Sequence, residues 1–119
     1  MRTLQTKPKG HIDAPIDEVA ESGTEVRILA PPSPSPCTMA RVNVPVGANI
    51  AAHSHSVREV WVISQGAGYL TVDGEQSEVR AGDALFFESG EQHGVVNSGD
   101  QPLTLVAVWW ERGEVEPGG

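Results

Sequence analysis

Short apolar runs separated by turn signals constrain the fold of this chain more than any other feature of its sequence. The runs recur roughly every eight to twelve residues, and one break, Asp73-Gly74, is a strong two-residue hairpin signal. The chain has 13 glycines and 9 prolines in 119 residues. This pattern predicts an all-β sandwich or barrel rather than a helical bundle. The predicted strands are residues 26–29, 38–46, 59–64, 68–72, 79–81, 84–87, 95–97 and 103–110.

The length is that of one domain, and we divide it into three parts. Residues 1–25 are polar and irregular and form an N-terminal arm, residues 26–111 form the β-barrel, and residues 112–119 form a flexible C-terminal tail. The first residues lack the apolar stretch of a signal peptide, and no apolar run is long enough to span a membrane. We therefore expect a cytoplasmic protein with no membrane partner.

The charge excludes one class of partner. The formal net charge is −8, and no cluster of lysine and arginine interrupts it. Such a surface repels phosphate backbones, so we expect no nucleic-acid partner. Cys37 is the only cysteine, which rules out an internal disulfide.

The last predicted strand, residues 103–110, is apolar on both faces. Side chains alternate along a strand, so Trp109 and Trp110 must lie on opposite sides of the sheet. A second structure must then cover the outer face. Two interpretations stand open: a second copy in a homodimer, or the N-terminal arm of the same chain.

Three of the four histidines fall into a pattern typical of a metal site. His53 and His55 are two residues apart, which on a strand places both imidazoles on one face. Glu59 follows after a short turn, and His93 supplies a fourth candidate ligand. His11 lies in the polar arm and is interpreted as a surface residue.

On these residues the chain resembles the cupin superfamily, as a small single-domain member. The first cupin motif is matched at Gly47, His53, His55, Glu59 and Gly66. The second is matched at Gly82, Gly90, His93 and Asn97, with Glu88 where the family usually has proline. The resemblance implies a jelly-roll (double-stranded β-helix) barrel with a metal in its mouth, and it does not specify a reaction.

Three imidazoles and one carboxylate suit one divalent transition metal: Fe, Mn, Ni, Cu, Co or Zn. No thiolate belongs to the pattern, which excludes a structural cysteine-type zinc site. Alternation from the ligands predicts an apolar, partly aromatic pocket for a small-molecule substrate. Its predicted lining is Trp61, Ile63, Leu85, Phe87 and Val95, together with Arg41, whose face the pattern leaves open.

Three functions remain as hypotheses. The first is a metal-dependent dioxygenase, an oxidoreductase that acts on a small enol, aromatic or diketone-like substrate. The second is a redox-neutral isomerase, lyase or cyclase, and the third is a non-catalytic small-molecule-binding protein. Glu88 is the candidate catalytic base, against the simpler interpretation of a solvated turn residue.

Overall fold

The structure, a computed structural model, describes residues 9–29, 36–54 and 56–111. These residues form ten β-strands and no helix, which confirms the all-β prediction. No helix in this part of the chain is therefore long and apolar enough to cross a membrane. The strands are β1 (Glu18–Val19), β2 (Glu25–Ile28), β3 (Thr38–Val44), β4 (Asn49–His53), β5 (Arg58–Gln65), β6 (Ala67–Val72), β7 (Glu75–Arg80), β8 (Ala84–Phe87), β9 (His93–Val96) and β10 (Leu103–Trp110).

The strands form two antiparallel sheets that pack face to face. The larger sheet has the order β1-β2-β3-β10-β5-β8, and the smaller has the order β4-β9-β6-β7. Consecutive strands alternate between the sheets at several points, as the jelly-roll topology requires. The core between them includes Phe87, Ile63, Leu103 and Leu105, all at most 2% exposed. The predicted jelly-roll barrel is confirmed.

Cross-strand register arranges the inner face of the larger sheet into rows. One row joins Ala40 of β3, Ala107 of β10 and Trp61 of β5. The next joins Trp109 of β10 to Glu59 of β5. Side chains directly opposite one another on antiparallel strands lie close together. The two buried alanines therefore leave space beside the larger Trp61 and Trp109.

Gly94 of β9 allows the backbones of β9 and β4 to approach closely in the smaller sheet. A Cβ atom at this position would lie 2.6 Å from the carbonyl oxygen of Ile50 and 2.7 Å from the amide nitrogen of Ala52. The register of β4 against β9 shifts between Ile50 and His53. Only a residue without a side chain permits this close approach of the two backbones.

Asn97 closes the loop after β9. Its side chain is fully buried and donates hydrogen bonds to the carbonyls of Val44 (2.9 Å) and Gln101 (2.8 Å). Its own carboxamide oxygen accepts a hydrogen bond from the amide of Gly99 at 3.0 Å. The residue thus satisfies buried backbone groups around the second sequence motif.

The outer face of the larger sheet is apolar, as the composition of β10 indicated. Val62 is 42% exposed and Phe86 is 53% exposed. Trp110 stacks on Phe86 with ring centroids 6.4 Å apart, whereas Trp109 lines the interior. The described part of the N-terminal arm leaves Val62 and Phe86 accessible, so a homodimer through this face stays a prediction.

Part of the predicted arm belongs to the larger sheet. Glu18 and Val19 form β1, which pairs with β2, and β2 pairs with β3 of the same chain. The arm, barrel and tail boundaries stay predictions, since residues 1–8 and 112–119 lie outside the described residues.

Candidate metal centre

His53 and His93 approach each other because β4 and β9 pair in register. The two residues are direct cross-strand partners, and their ring centroids are 4.7 Å apart. His93 is 1% exposed, whereas His53 is partly exposed at the end of β4. One face of the smaller sheet thus presents two imidazoles side by side.

Glu59 reaches the same point from the opposite sheet. It is 7% exposed, and its Oε1 atom lies 3.0 Å from Nε2 of His93. One ligand atom from each of His53, Glu59 and His93 falls within 4.8 Å of the others. His55, the remaining predicted ligand, lies outside the described residues.

Backbone carbonyls orient both imidazoles. Nδ1 of His53 lies 2.9 Å from the carbonyl oxygen of Ala51, and Nδ1 of His93 lies 2.9 Å from that of Glu91. A carbonyl oxygen only accepts, so each Nδ1 carries a hydrogen, and in the neutral imidazole Nε2 is then the nitrogen that has the lone pair a metal requires. This outer hydrogen bond is the usual arrangement for metal-bound histidine. The donor set therefore fits a divalent transition metal.

The pKa of His93 reflects the proximity of Glu59. Burial lowers this pKa, but the hydrogen bonds that the ring donates to the Glu59 carboxylate and to the Glu91 carbonyl, and the negative charges of both residues, raise it more. The pKa of His93 consequently lies above 6.5. In the metal-free protein a proton is thus favoured between Nε2 and the carboxylate, the place a cation would take.

Aromatic side chains enclose the buried part of the cluster. Phe87 stacks on the His93 ring with centroids 4.1 Å apart, and Trp61 meets the same ring edge-on at 5.3 Å. Nε1 of Trp61 donates a 3.0 Å hydrogen bond to Oε2 of Glu59. The two carboxylate oxygens therefore have different partners: Oε1 faces His93, and Oε2 is held by the indole.

A cavity of about 710 Å³ opens from this cluster. His53, Glu59 and Trp61 belong to its lining, and Ala40, Ala107 and Trp109 form part of its apolar wall. A smaller recess of about 380 Å³ adjoins it at His53, Glu59 and Trp109. The cavity volume is in the range typical of small-molecule sites.

The predicted pocket residues occupy different depths. Trp61 lines the cavity. Ile63, Phe87 and Val95 are buried in the hydrophobic core, and Leu85 packs against that core. All four point between the sheets, but the cavity wall is formed by other residues.

The two charged residues considered for the pocket lie away from the cavity wall. Arg41 is on the other face of β3 and forms a 3.0 Å ion pair with Asp13. The side chain of Glu88 is 62% exposed, and its Oε1 lies 3.5 Å from Nε of Arg58. A catalytic role for Glu88 stays a prediction.

Sequence reasoning missed the part of the N-terminal arm that walls the cavity. Glu18, Glu21 and Thr24 belong to its lining. Thr24 is 3% exposed and donates a 2.8 Å hydrogen bond to the carbonyl of Asn49, which Ser22 also reaches at 3.0 Å. These contacts join residues far apart in the chain, and no local pattern signals them.

Comparison with known proteins agrees with this architecture. The family model of the Cupin domain matches residues 40–109, more than half of the chain, and the chain belongs to this family. It is therefore a cupin-2 type protein with a group of residues that could hold a metal.

Three similar proteins come from bacteria. The oxalate-binding protein of Thermotoga maritima is 34% identical over 70 residues, which span 58% of this chain and 58% of that protein. A Cupin 2 conserved barrel domain protein from Salinispora arenicola superposes with a TM-score of 0.72 at 28% identity, covering 82% of this chain and 87% of that one. A predicted oxalate decarboxylase from Thermotoga maritima superposes with a TM-score of 0.67 at 28% identity, covering 74% and 80%.

Proposed function

We propose that this chain is a metal-dependent enzyme that binds a small organic molecule at a divalent transition metal held by His53, Glu59, His93 and His55. The observation that carries the proposal is the buried Glu59–His93 contact, with His53 beside it and with His53 and Glu59 lining the cavity. A buried carboxylate and imidazole without a cation between them are costly to keep for packing alone.

Residues around the candidate ligands orient them and exclude water. The carbonyls of Ala51 and Glu91 fix the imidazole orientations, and Trp61 holds one oxygen of Glu59. Phe87 and Trp61 exclude water from the buried side of His93. A metal bound here supplies Lewis acidity or activates dioxygen next to the substrate.

The apolar cavity favours the dioxygenase hypothesis. Ala40, Ala107 and Trp109 suit an aromatic, enol or diketone-like body, and no described lysine or arginine lines the wall to bind a phosphate. The matching activity is oxygen-dependent cleavage of such a substrate.

A redox-neutral lyase is the second candidate. It is favoured by the structural similarity to the predicted oxalate decarboxylase, at 28% identity. The similarity to the oxalate-binding protein also keeps a purely binding function open. All three functions require a small molecule at the same centre.

The first test is the metal content of protein purified without added metal or chelator, measured by mass spectrometry. We expect about one equivalent of a divalent transition metal in the wild type, and its loss in a His53→Ala, His93→Ala double variant. His11→Ala is the matched control, because His11 is an exposed histidine of the arm. His55→Ala tests the fourth predicted ligand. Absence of metal from the wild type, even after reloading, would refute the proposal.

Oxygen uptake then separates the reaction classes. The metal-loaded protein is supplied with diketone, flavonol and catechol-like substrates in air and under nitrogen. Consumption of dioxygen with product formation supports the dioxygenase. Turnover that persists under nitrogen supports the lyase, and retained metal without turnover supports the binding function.

A further inference from the structure

The cavity contains an unequal distribution of charge. Its charged lining residues are all acidic: Glu59, which is buried in the candidate metal centre, and Glu18 and Glu21, which are exposed. Every described lysine or arginine lies elsewhere. Arg27 and Arg41 pair with Glu25 and Asp13, Arg58 lies beside Glu88, Arg80 lines a separate groove and Lys9 is exposed in the arm.

The strand register places Glu18 on the cavity side of the sheet. Glu18 lies opposite Val26, and Val26 lies opposite Val42. Both valines line the cavity. Directly opposed residues share one face of an antiparallel sheet, so the Glu18 carboxylate stands on the same face at the outer edge.

The turn that carries Glu21 is attached to the smaller sheet. Ser22, within the turn, and Thr24, directly after it, donate hydrogen bonds of 3.0 and 2.8 Å to the same carbonyl of Asn49. The turn is therefore anchored to β4, the strand that ends in His53. The exposed carboxylates are separated from the candidate metal centre, because β1, which carries Glu18, is four strands from β5, which carries Glu59.

Between these ends the wall is apolar and aromatic. Trp61 and Trp109 border the space, and Ala40 and Ala107 provide its width. A divalent cation with one carboxylate ligand and neutral imidazoles carries a net charge near +1. A molecule that fills the cavity thus meets positive charge at the metal, apolar surface along its length and negative charge beside Glu18 and Glu21.

We propose that the cavity selects a ligand with one anionic oxygen end for the metal and an apolar or positively charged body, and that it disfavours dianions such as oxalate. The inference rests on the proposed metal centre and concerns its substrate class. A second negative charge inside this cavity would have no cationic side chain among the described residues to pair with, and would face two carboxylates. A trimethylammonium or dimethylsulfonium group, in contrast, suits indole faces and carboxylates. This chain would then differ in preference from a protein that binds oxalate.

The test compares two carboxylates of the same shape. Glycine betaine carries a trimethylammonium group, and 3,3-dimethylbutanoate replaces that nitrogen with carbon. Their affinities, and that of oxalate, are measured by titration calorimetry on the zinc-loaded full chain. The comparison uses wild type, a Glu18→Gln, Glu21→Gln double variant and Glu25→Gln. Glu25 is the matched control, because it pairs with Arg27 and lies outside the cavity lining.

We expect the double variant to lower the betaine-to-dimethylbutanoate affinity ratio by about threefold and to raise oxalate affinity by about threefold, since exposed charges are partly screened. Glu25→Gln should change neither value. If the double variant retains the metal and neither the affinity ratio nor the oxalate affinity changes, this inference is overturned and the proposed function is not. The same holds if Glu25→Gln changes both values equally. Absence of bound zinc in the wild type overturns the proposed function as well.

Discussion

The hydrogen bond from Trp61 to Glu59 provides a quantitative test of the metal centre. We consider Trp61→Phe, which keeps an aromatic ring in the core and removes the indole donor together with part of the ring volume. Trp61 is 2% exposed and Glu59 is 7% exposed, so water cannot readily replace the 3.0 Å hydrogen bond to Oε2. Oε2 is then unsatisfied, or turns toward the metal together with Oε1.

The expected magnitude follows from two independent rules. A hydrogen bond to a charged group contributes roughly 1.5–3 kcal/mol, which corresponds to about 10–150-fold in a binding constant. Loss of a partner that orients a metal ligand typically costs about 10–100-fold in metal affinity. We therefore expect Trp61→Phe to weaken metal binding by about 10–100-fold.

The assay is a titration of Zn(II) and Co(II) against a competing chelator. The visible spectrum of the Co(II) form reports any change in the number of ligands when both oxygens of Glu59 become available. Urea denaturation of the metal-free variant measures the packing loss separately. Trp109→Phe is the matched control, because Trp109 lines the same cavity and its indole makes no hydrogen bond within the described part of the chain.

A Trp61→Phe variant that binds metal within about threefold of Trp109→Phe would refute this reasoning if its Co(II) spectrum is also unchanged. The indole would then be a packing residue only. A large loss of affinity in both variants would instead assign the effect to the cavity wall, not to the hydrogen bond.

Other parts of the fold make equally specific predictions. Asn97→Ala removes a buried amide that bonds two carbonyls, and we expect urea denaturation to show a loss of roughly 2–4 kcal/mol; a loss under about 1 kcal/mol would contradict this role. Gly94→Ala places a Cβ atom 2.6 Å from a backbone oxygen of β4, so the metal content should fall to less than about half. Gly99→Ala is the control: its Cβ atom would make only ordinary contacts at 3.5 Å, and the metal content should be unchanged. Phe86→Asp on the apolar outer face should convert a dimer to a monomer in light scattering, and Tyr69→Asp on the other sheet should not. A wild-type monomer, or a dimer that survives Phe86→Asp, would refute the interface.

Local sequence rules were sufficient to predict the fold class and to identify candidate ligands that the structure places together. Turn signals and alternation predicted most strands, because side-chain direction along a strand depends only on position. The same rule placed Glu59, Trp61 and Ile63 on one face, and the structure shows all three buried. The spaced motifs pointed to His53, Glu59 and His93 before any contact between the two sheets was known.

Local rules failed where polar segments form strands. β1 and most of β7 have no apolar alternation, and both are largely exposed. Pairing with a neighbouring strand stabilises them, and that partner is not visible in a short window of sequence.

Only the tertiary structure decided which inward-facing residues border the cavity. Alternation gives the face of a residue but not its depth, so Ile63 and Trp61 looked equivalent although only Trp61 lines the space. The face of Arg41 was decided by its contact with Asp13, 28 residues away. The position of Glu21 in the cavity lining depends on the hydrogen bond from Thr24 to the carbonyl of Asn49, 25 residues away. Contacts of this kind arise from the packing of distant segments. The charge of the cavity lining therefore could not be predicted from the sequence and is known only from the tertiary structure.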